Sequence, residues 1–171
     1  MKRGYRTMGE PKTNALRLLD SKNVKYKACT YSAPEGFLDG MSVAIQLDMD
    51  PGSVYKTLVT QGNSGEYYVC VIPVSCELDL KKAAKYFDEK KLEMIPGKEI
   101  TKITGYKKGG CSPIGMKKLY QTVVDQTVLK KDVIAVSGGK VGLQVELPVE
   151  ALLEITKAHT VDLVFQGTKG I

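Results

Sequence analysis

A lysine inside a β-rich run, a cysteine between glycines and a single histidine are the side chains whose types could do chemistry in this sequence. Lys56 interrupts "VYKTLV", an alternating apolar and β-branched stretch in which a cation is out of place. Periodicity alone leaves two readings open: an edge-strand lysine that discourages aggregation, or a cation held for a ligand. Tyr31, at the end of a β-rich run, has the same ambiguity, because its hydroxyl either completes a core hydrogen bond or points into a site. Cys111 lies in "GGCSP" with lysines nearby, a setting that could lower a thiol pKa. With no base identified, a small apolar filler of a tight turn is the better reading. His159 follows a helical run in "KAHTV", which favours capping of that helix's C-terminus. A serine or cysteine nucleophile needs an imidazole or an equivalent base beside it, so a conventional triad has little support. No Asp or Glu stands apart as half of a glycosidase-like pair.

The segment "GYKKGGCSPIGMKK", Gly105 to Lys118, is a different kind of signal. Its glycines allow tight turns and close approach of backbone to a partner. Its lysines suggest an anionic partner, which leaves a phosphate loop, a basic turn or the lip of a substrate pocket. The spacing does not match GxxxxGK[ST], so nucleotide hydrolysis has little support, but the backbone N–H groups can still serve a phosphate or an oxyanion.

Composition places these residues in an ordinary globular chain. The 171 residues are 43% hydrophobic and 26% charged, enough for one domain with a real core. Twenty-five Lys and Arg against nineteen Asp and Glu leave a net charge of +6, a mild tilt toward polyanions such as RNA. The basic residues are spread along the chain without one recognisable nucleic-acid motif. Cys29, Cys70, Cys76 and Cys111 form no CxxC pair and the lone histidine is far from them in sequence, which argues against a zinc site and a disulfide-stapled domain. No cofactor is implied. The basic start "MKRGYRTMGEP" lacks the apolar run of a signal peptide, and no segment reaches membrane-spanning length, so a cytoplasmic location is expected.

The elements that must position these residues alternate short strands and helices. "KTNALRLLDSKNV" reads as a helix with Ala15, Leu18, Leu19 and Val24 inward and Asn23 as its stop. A strand over Tyr26 to Tyr31, a short helix over Met41 to Leu47 and the turn "DMDPGS" follow. "VYKTLVT" and "EYYVCVIPV" read as strands. "DLKKAAKYFDEKK" reads as an amphipathic helix capped by Asp79, with Leu80, Ala83, Ala84 and Phe87 inward. "TVVDQT", "DVIAVS" and "VGLQVEL" are further strands, the last two joined by a "GGK" hairpin turn. Pro148 starts a helix over "PVEALLEITK", and "VDLVF" returns as a strand. The expected class is α+β, with a curved mixed sheet as the core.

Several of these stretches together resemble one family. "VYKTLV", "IPVSCELDLKKAAKYF", "TGYKKGGCSPIGMKK" and "VSGGKVGLQVEL" are similar, in the same order, to the YbaK-type aminoacyl-tRNA deacylases, relatives of the editing domain inserted in bacterial prolyl-tRNA synthetases. The similarity implies a single α+β domain with a curved, barrel-like mixed β-sheet surrounded by helices. It extends over residues 12–166, leaving residues 1–11 as a flexible basic arm and 167–171 as a tail. It also implies trans-editing, the hydrolysis of mischarged Cys-tRNA(Pro), with a prolyl-tRNA synthetase as a possible partner. Residue by residue, the family's essential lysine falls on Lys56 and its strand-end tyrosine on Tyr31. Its substrate-binding loop falls on Gly109, Gly110, Ser112 and Gly115, and its pocket serine on Ser137. Gln144 in "GLQVE" also belongs to the substrate-binding set, but stands where some members carry an aspartate, so a role that depends on a carboxylate does not carry over. For the YbaK branch the resemblance implies that the substrate's own thiol can attack its ester carbonyl, so that a protein nucleophile is unnecessary. The alternatives are an Ala-tRNA(Pro) deacylase, a silent tRNA- or synthetase-binding module, and a scaffold whose glycine loop is merely structural.

Overall fold

The computed structural model describes residues 4–5 and 12–165. Helix α1 (Asn14–Ser21) starts at Thr13, whose Oγ1 accepts the Leu16 N–H and also donates to the Gly138 carbonyl at 2.6 Å. It ends before Asn23, which adopts a left-handed backbone (φ 57°). Its buried residues are Ala15, Leu16 and Leu19, with Leu18 at the margin of the core. Strand β2 (Lys27–Thr30) and helix α2 (Gly40–Gln46) follow, the helix opened by Asp39 accepting the Ser42 N–H.

The chain then makes a 3₁₀ turn over Pro51–Ser53 and runs through β3 (Tyr55–Gly62) and β4 (Tyr67–Pro73). Strand β4 is nearly continuously apolar because it is buried on both faces. Val69 and Val71 enter one core, while Tyr68, Cys70 and Ile72 enter a second. Helix α3 (Leu80–Tyr86) is capped by Asp79, which accepts from the Lys81 and Lys82 N–H groups. It packs on that second core through Ala83, Ala84 and the following Phe87.

The stretch between α3 and the glycine-rich segment adds β5 (Leu92–Met94) and α4 (Ile100–Thr104), neither of them anticipated by periodicity because each is only one turn or three residues long. Strands β6 (Gln121–Asp125), β7 (Val133–Ser137) and β8 (Leu143–Pro148), helix α5 (Val149–Thr156) and β9 (His159–Val161) complete the fold. Pro148 closes β8 immediately before the first residue of α5.

Among the described residues, nine strands make two sheets. Gly4–Tyr5, the only described part of the expected N-terminal arm, forms β1 and pairs with Thr30 and Cys29. The first sheet has the order β1-β2-β8-β7 and is antiparallel throughout. The second, β5-β3-β4-β6-β9, is mixed, with β6 parallel to β4 and β9 parallel to β6. A parallel bridge between Val54 and Ala135 joins them, and the main core lies beneath both sheets with α1 and α5 packed on it. The expected curved sheet is therefore two open sheets that meet along one seam.

Two local expectations are corrected. The last strand is His159–Val161 and not "VDLVF", because the buried Asp125 carboxylate takes the Leu163 N–H and the Leu163 carbonyl accepts from the Asp79 N–H. Beyond that point Val164 makes a single bridge, to Leu78, among the described residues. His159 does not cap α5. Lys157 does so with a left-handed backbone (φ 56°), and His159 is already extended in β9, its Nδ1 2.8 Å from the Tyr86 hydroxyl.

Candidate active site

Tyr31, Lys56, Gly109, Ser137 and Gln144, drawn from five separate stretches of sequence, line one cavity of about 330 Å³. Thr57, Phe37 and Cys111 share its wall. The fold brings them together through two contacts. The Val54–Ala135 bridge sets the start of β3 beside β7, and the β7–β8 register places Ser137 opposite Gln144. Tyr31 follows β2 and is held over the same hairpin by its N–H, which donates to the Gly142 carbonyl at 2.9 Å.

Alternation along β3 explains Lys56. Tyr55 is buried in the main core with its hydroxyl 2.8 Å from Thr127 Oγ1, so Lys56 must leave the strand on the opposite face. It is half-buried there and makes neither an ion pair nor a side-chain hydrogen bond among the described residues. Strand β5 covers only Thr60–Gly62 of β3, and Val59 O accepts the Ile95 N–H on that side. By the same alternation the Thr57 main chain faces this edge, beyond the reach of β5.

Two buried polar atoms at the cavity have no partner: Thr57 Oγ1 and Gln144 Oε1. Native proteins leave few such atoms, because each costs about 1–3 kcal/mol. Both belong to residues that line the cavity, which makes its wall a candidate site for a polar ligand.

The glycine-rich segment divides its work. Gly109 lines the cavity with a left-handed backbone (φ +85°), and a Cβ there would press on the Phe37 ring at 3.1 Å. Gly110, Ser112 and Gly115 are not among the lining residues. Gly110 lets the loop lie directly on the β7–β8 turn, where a Cβ would sit 2.6 Å from Val141 N. Ser112 is fully buried and its Oγ accepts the Ile114 N–H at 3.2 Å. Gly115 (φ +78°) docks the loop on the start of α1, where a Cβ would lie 3.1 Å from Ala15 N. Ser137 also stabilises a turn, its Oγ accepting the Gly139 N–H at 3.2 Å.

Cys111 belongs to the wall, but burial pushes its thiol up to about 11, with a hydrogen bond to Thr104 acting weakly the other way. It is protonated at neutral pH and is no thiolate nucleophile. His159 lies on β9, three strands away from β3 in the sheet order, roughly 14 Å at the usual interstrand spacing. The cavity therefore offers a lysine, hydroxyls, an amide, glycine backbone and the Asp39 carboxylate, whose two oxygens already accept from Ser42 at the start of α2. Such a set can orient a substrate and stabilise developing negative charge, and contains no activated nucleophile.

Sequence reasoning missed Thr57 and Phe37. Thr57 looked like a routine β-former, although its position next to Lys56 was a usable signal. Phe37, 55% exposed at the cavity mouth, was hidden among the turn residues of "APEGFLDG".

Comparisons with known proteins identify the fold and the family. Residues 41–155 match the aminoacyl-tRNA editing domain family. A protein of Enterococcus faecalis (strain ATCC 700802 / V583) that carries the name Cys-tRNA(Pro)/Cys-tRNA(Cys) deacylase EbsC is 43% identical over 154 residues, 90% of this chain and 94% of that protein. Among solved structures, the hypothetical protein APE2540 superposes with a TM-score of 0.81 at 20% identity, covering 89% of this chain and 99% of its own. A crystal structure described as a trans-editing enzyme for prolyl tRNA synthetase gives 0.78 at 21% identity, covering 92% and 100%. These two establish the fold, and the family match and the EbsC relative establish the membership: this chain belongs to the aminoacyl-tRNA editing domain family.

Proposed function

We propose that this protein is a trans-editing deacylase that cleaves the ester of mischarged Cys-tRNA(Pro). The observation that carries the reading is that Lys56, Tyr31, Gly109, Ser137 and Gln144 line one cavity that offers neither thiolate nor imidazole. At about 330 Å³ the cavity is at the small end of ligand sites, suited to an aminoacyl end and not to a whole nucleotide chain. The EbsC relative supports a cysteinyl substrate.

The chemistry needs no nucleophile from the protein. The substrate's cysteine sulfur attacks its own ester carbonyl, the S–C bond of a cyclic thiolactone forms and the C–O bond to the ribose breaks. The thiol proton ends on the departing ribose oxygen, and water later opens the thiolactone. Lys56 donates to the carbonyl or ribose oxygen, where negative charge develops. Gly109 lets the acylated end approach closely. Tyr31 and Ser137 position the terminal adenosine, and Gln144 Oε1 accepts from the substrate's amino group. A passing complex with prolyl-tRNA synthetase, delivering freshly mischarged tRNA, belongs to the same reading.

Release of amino acid from Cys-tRNA(Pro), Ala-tRNA(Pro) and Pro-tRNA(Pro) tests it, with the parent and a folded Lys56→Ala variant side by side. Fast release of cysteine alone, lost in the variant, is the expected result. Preference for the alanyl ester would exclude the thiol-assisted route, and no release from any of the three would end the enzyme reading.

A further inference from the structure

The net charge of the chain is not evenly distributed. Residues 97–118 hold six lysines against the single Glu99, an excess of five out of the chain's net +6. The fold gathers these lysines onto one ridge. Lys98 comes from the 3₁₀ turn (Gly97–Glu99) before α4 and Lys102 from α4 itself, Lys107 and Lys108 from the loop after it, and Lys117 and Lys118 from the end of the glycine-rich segment. Two glycines make the gathering possible. The Lys108 stem lies over Gly97, where a Cβ would be only 3.1 Å from its Cδ. The Lys117 stem crosses Gly105 in the same way, and its Nζ donates to the Lys102 carbonyl at 3.0 Å. All six side chains are exposed, and none makes an ion pair among the described residues.

The ridge is continuous with the cavity. Ile100, Gly109 and Cys111, interleaved in sequence with the lysines, line the cavity wall. A surface that concentrates unneutralised lysines beside a site for an acylated end suits one occupant, the phosphate backbone leading to that end.

We infer that this ridge is the docking surface for the acceptor-end backbone of the tRNA, with Lys102, Lys107 and Lys108 as phosphate contacts. The assignment rests on the deacylase reading of the cavity for the orientation of the RNA. Lys117 is a lesser contributor, because its Nζ is already held by the Lys102 carbonyl. The contacts are to phosphate, so they supply affinity and steering and no base specificity.

The test compares the parent with a Lys102→Gln/Lys107→Gln/Lys108→Gln variant and a control in which Lys22 and Lys157, which line a separate depression with Val24 and Glu154, become Gln. Binding of uncharged tRNA is followed by fluorescence anisotropy over a range of salt, with folding checked by circular dichroism. The ridge variant should lose about 0.7–0.9 in the slope of log affinity against log salt for each of the three contacts removed, roughly 2–3 in all. The control should keep the parental slope. With Cys-tRNA(Pro) the ridge variant should show a raised KM and an unchanged kcat, and with a short cysteinyl-adenosine ester it should match the parent. An unchanged slope in a folded ridge variant, or an equal fall in the control, would overturn the proposal. If no substrate is deacylated by the parent yet the slope falls only in the ridge variant, the deacylase reading fails while the RNA surface stands.

Discussion

Ser137 and Gln144 face each other across the β7–β8 pair at the mouth of its turn, and both line the cavity, but only one is satisfied. Ser137 Oγ accepts the Gly139 N–H, whereas Gln144 Oε1 is buried without a partner. The hairpin thus supplies one residue that holds the turn and one that carries an energetic cost. A cost retained beside a cavity is best understood as a ligand contact prepared in advance.

Gln144→Leu tests this directly. Similar volume without the orphan carbonyl should leave stability unchanged or raise it by up to about 1–2 kcal/mol, while deacylation falls at least roughly tenfold. Urea unfolding beside the release assay separates the two effects. Destabilisation with full activity would mean that Gln144 has only a packing role.

Lys56→Met retains much of the stem and removes the donor. Lys56 makes no ion pair or side-chain hydrogen bond among the described residues, so the midpoint of unfolding should barely move. Loss of one donor to a developing oxyanion typically reduces kcat by about 10²–10³, and that is the expected fall here. Single-turnover kinetics would measure it without interference from product release.

Cys111→Ala should retain activity within a few-fold, because the thiol is protonated at neutral pH and is not the attacking group. The pH dependence of stability gives an independent check. Burial raises Cys70 to about 12 and Cys111 to about 11, so between pH 9 and those values the unfolded chain has lost protons that the folded chain keeps. Stability should therefore fall as pH rises above about 9, by a slope approaching about 1.4 kcal/mol per pH unit for each buried thiol. Cys111→Ala should make that fall shallower in alkaline denaturation curves.

Gly110→Ala should be far more damaging than Gly36→Ala. At Gly110 the added carbon meets backbone of Lys140 and Val141 within 2.7 Å, and neither can yield without moving the hairpin turn. At Gly36 the backbone is left-handed (φ +81°) but nothing lies within 4 Å, so only the conformational strain of about 1–2 kcal/mol applies. Thermal melts of the two variants should separate by more than that strain, and equal shifts would show that the loop is not seated on the turn.

Much of this protein was determined by local sequence. Thr13 and Asp79 mark helix starts by capping, Asn23 marks a stop by its tolerance of left-handed backbone, and the unbroken apolar run of β4 marks a strand buried on both faces. These outcomes depend on groups within a few residues of one another. The motifs around Lys56, Gly109 and Ser137 were likewise sufficient to point to the family.

Tertiary structure alone decided which of those residues share a site. Lys56 meets Ser137 and Gln144 because one bridge, Val54 to Ala135, joins two sheets, and no local pattern encodes a bridge across some eighty residues. It also decided that Gly110, Ser112 and Gly115 stand behind the cavity wall while Gly109 is part of it, since that depends on which backbone each glycine meets. The orphan oxygens of Thr57 and Gln144 are a tertiary property as well. Whether a polar atom finds a partner is settled by everything packed around it, and its own sequence neighbours supply only a part of that surrounding.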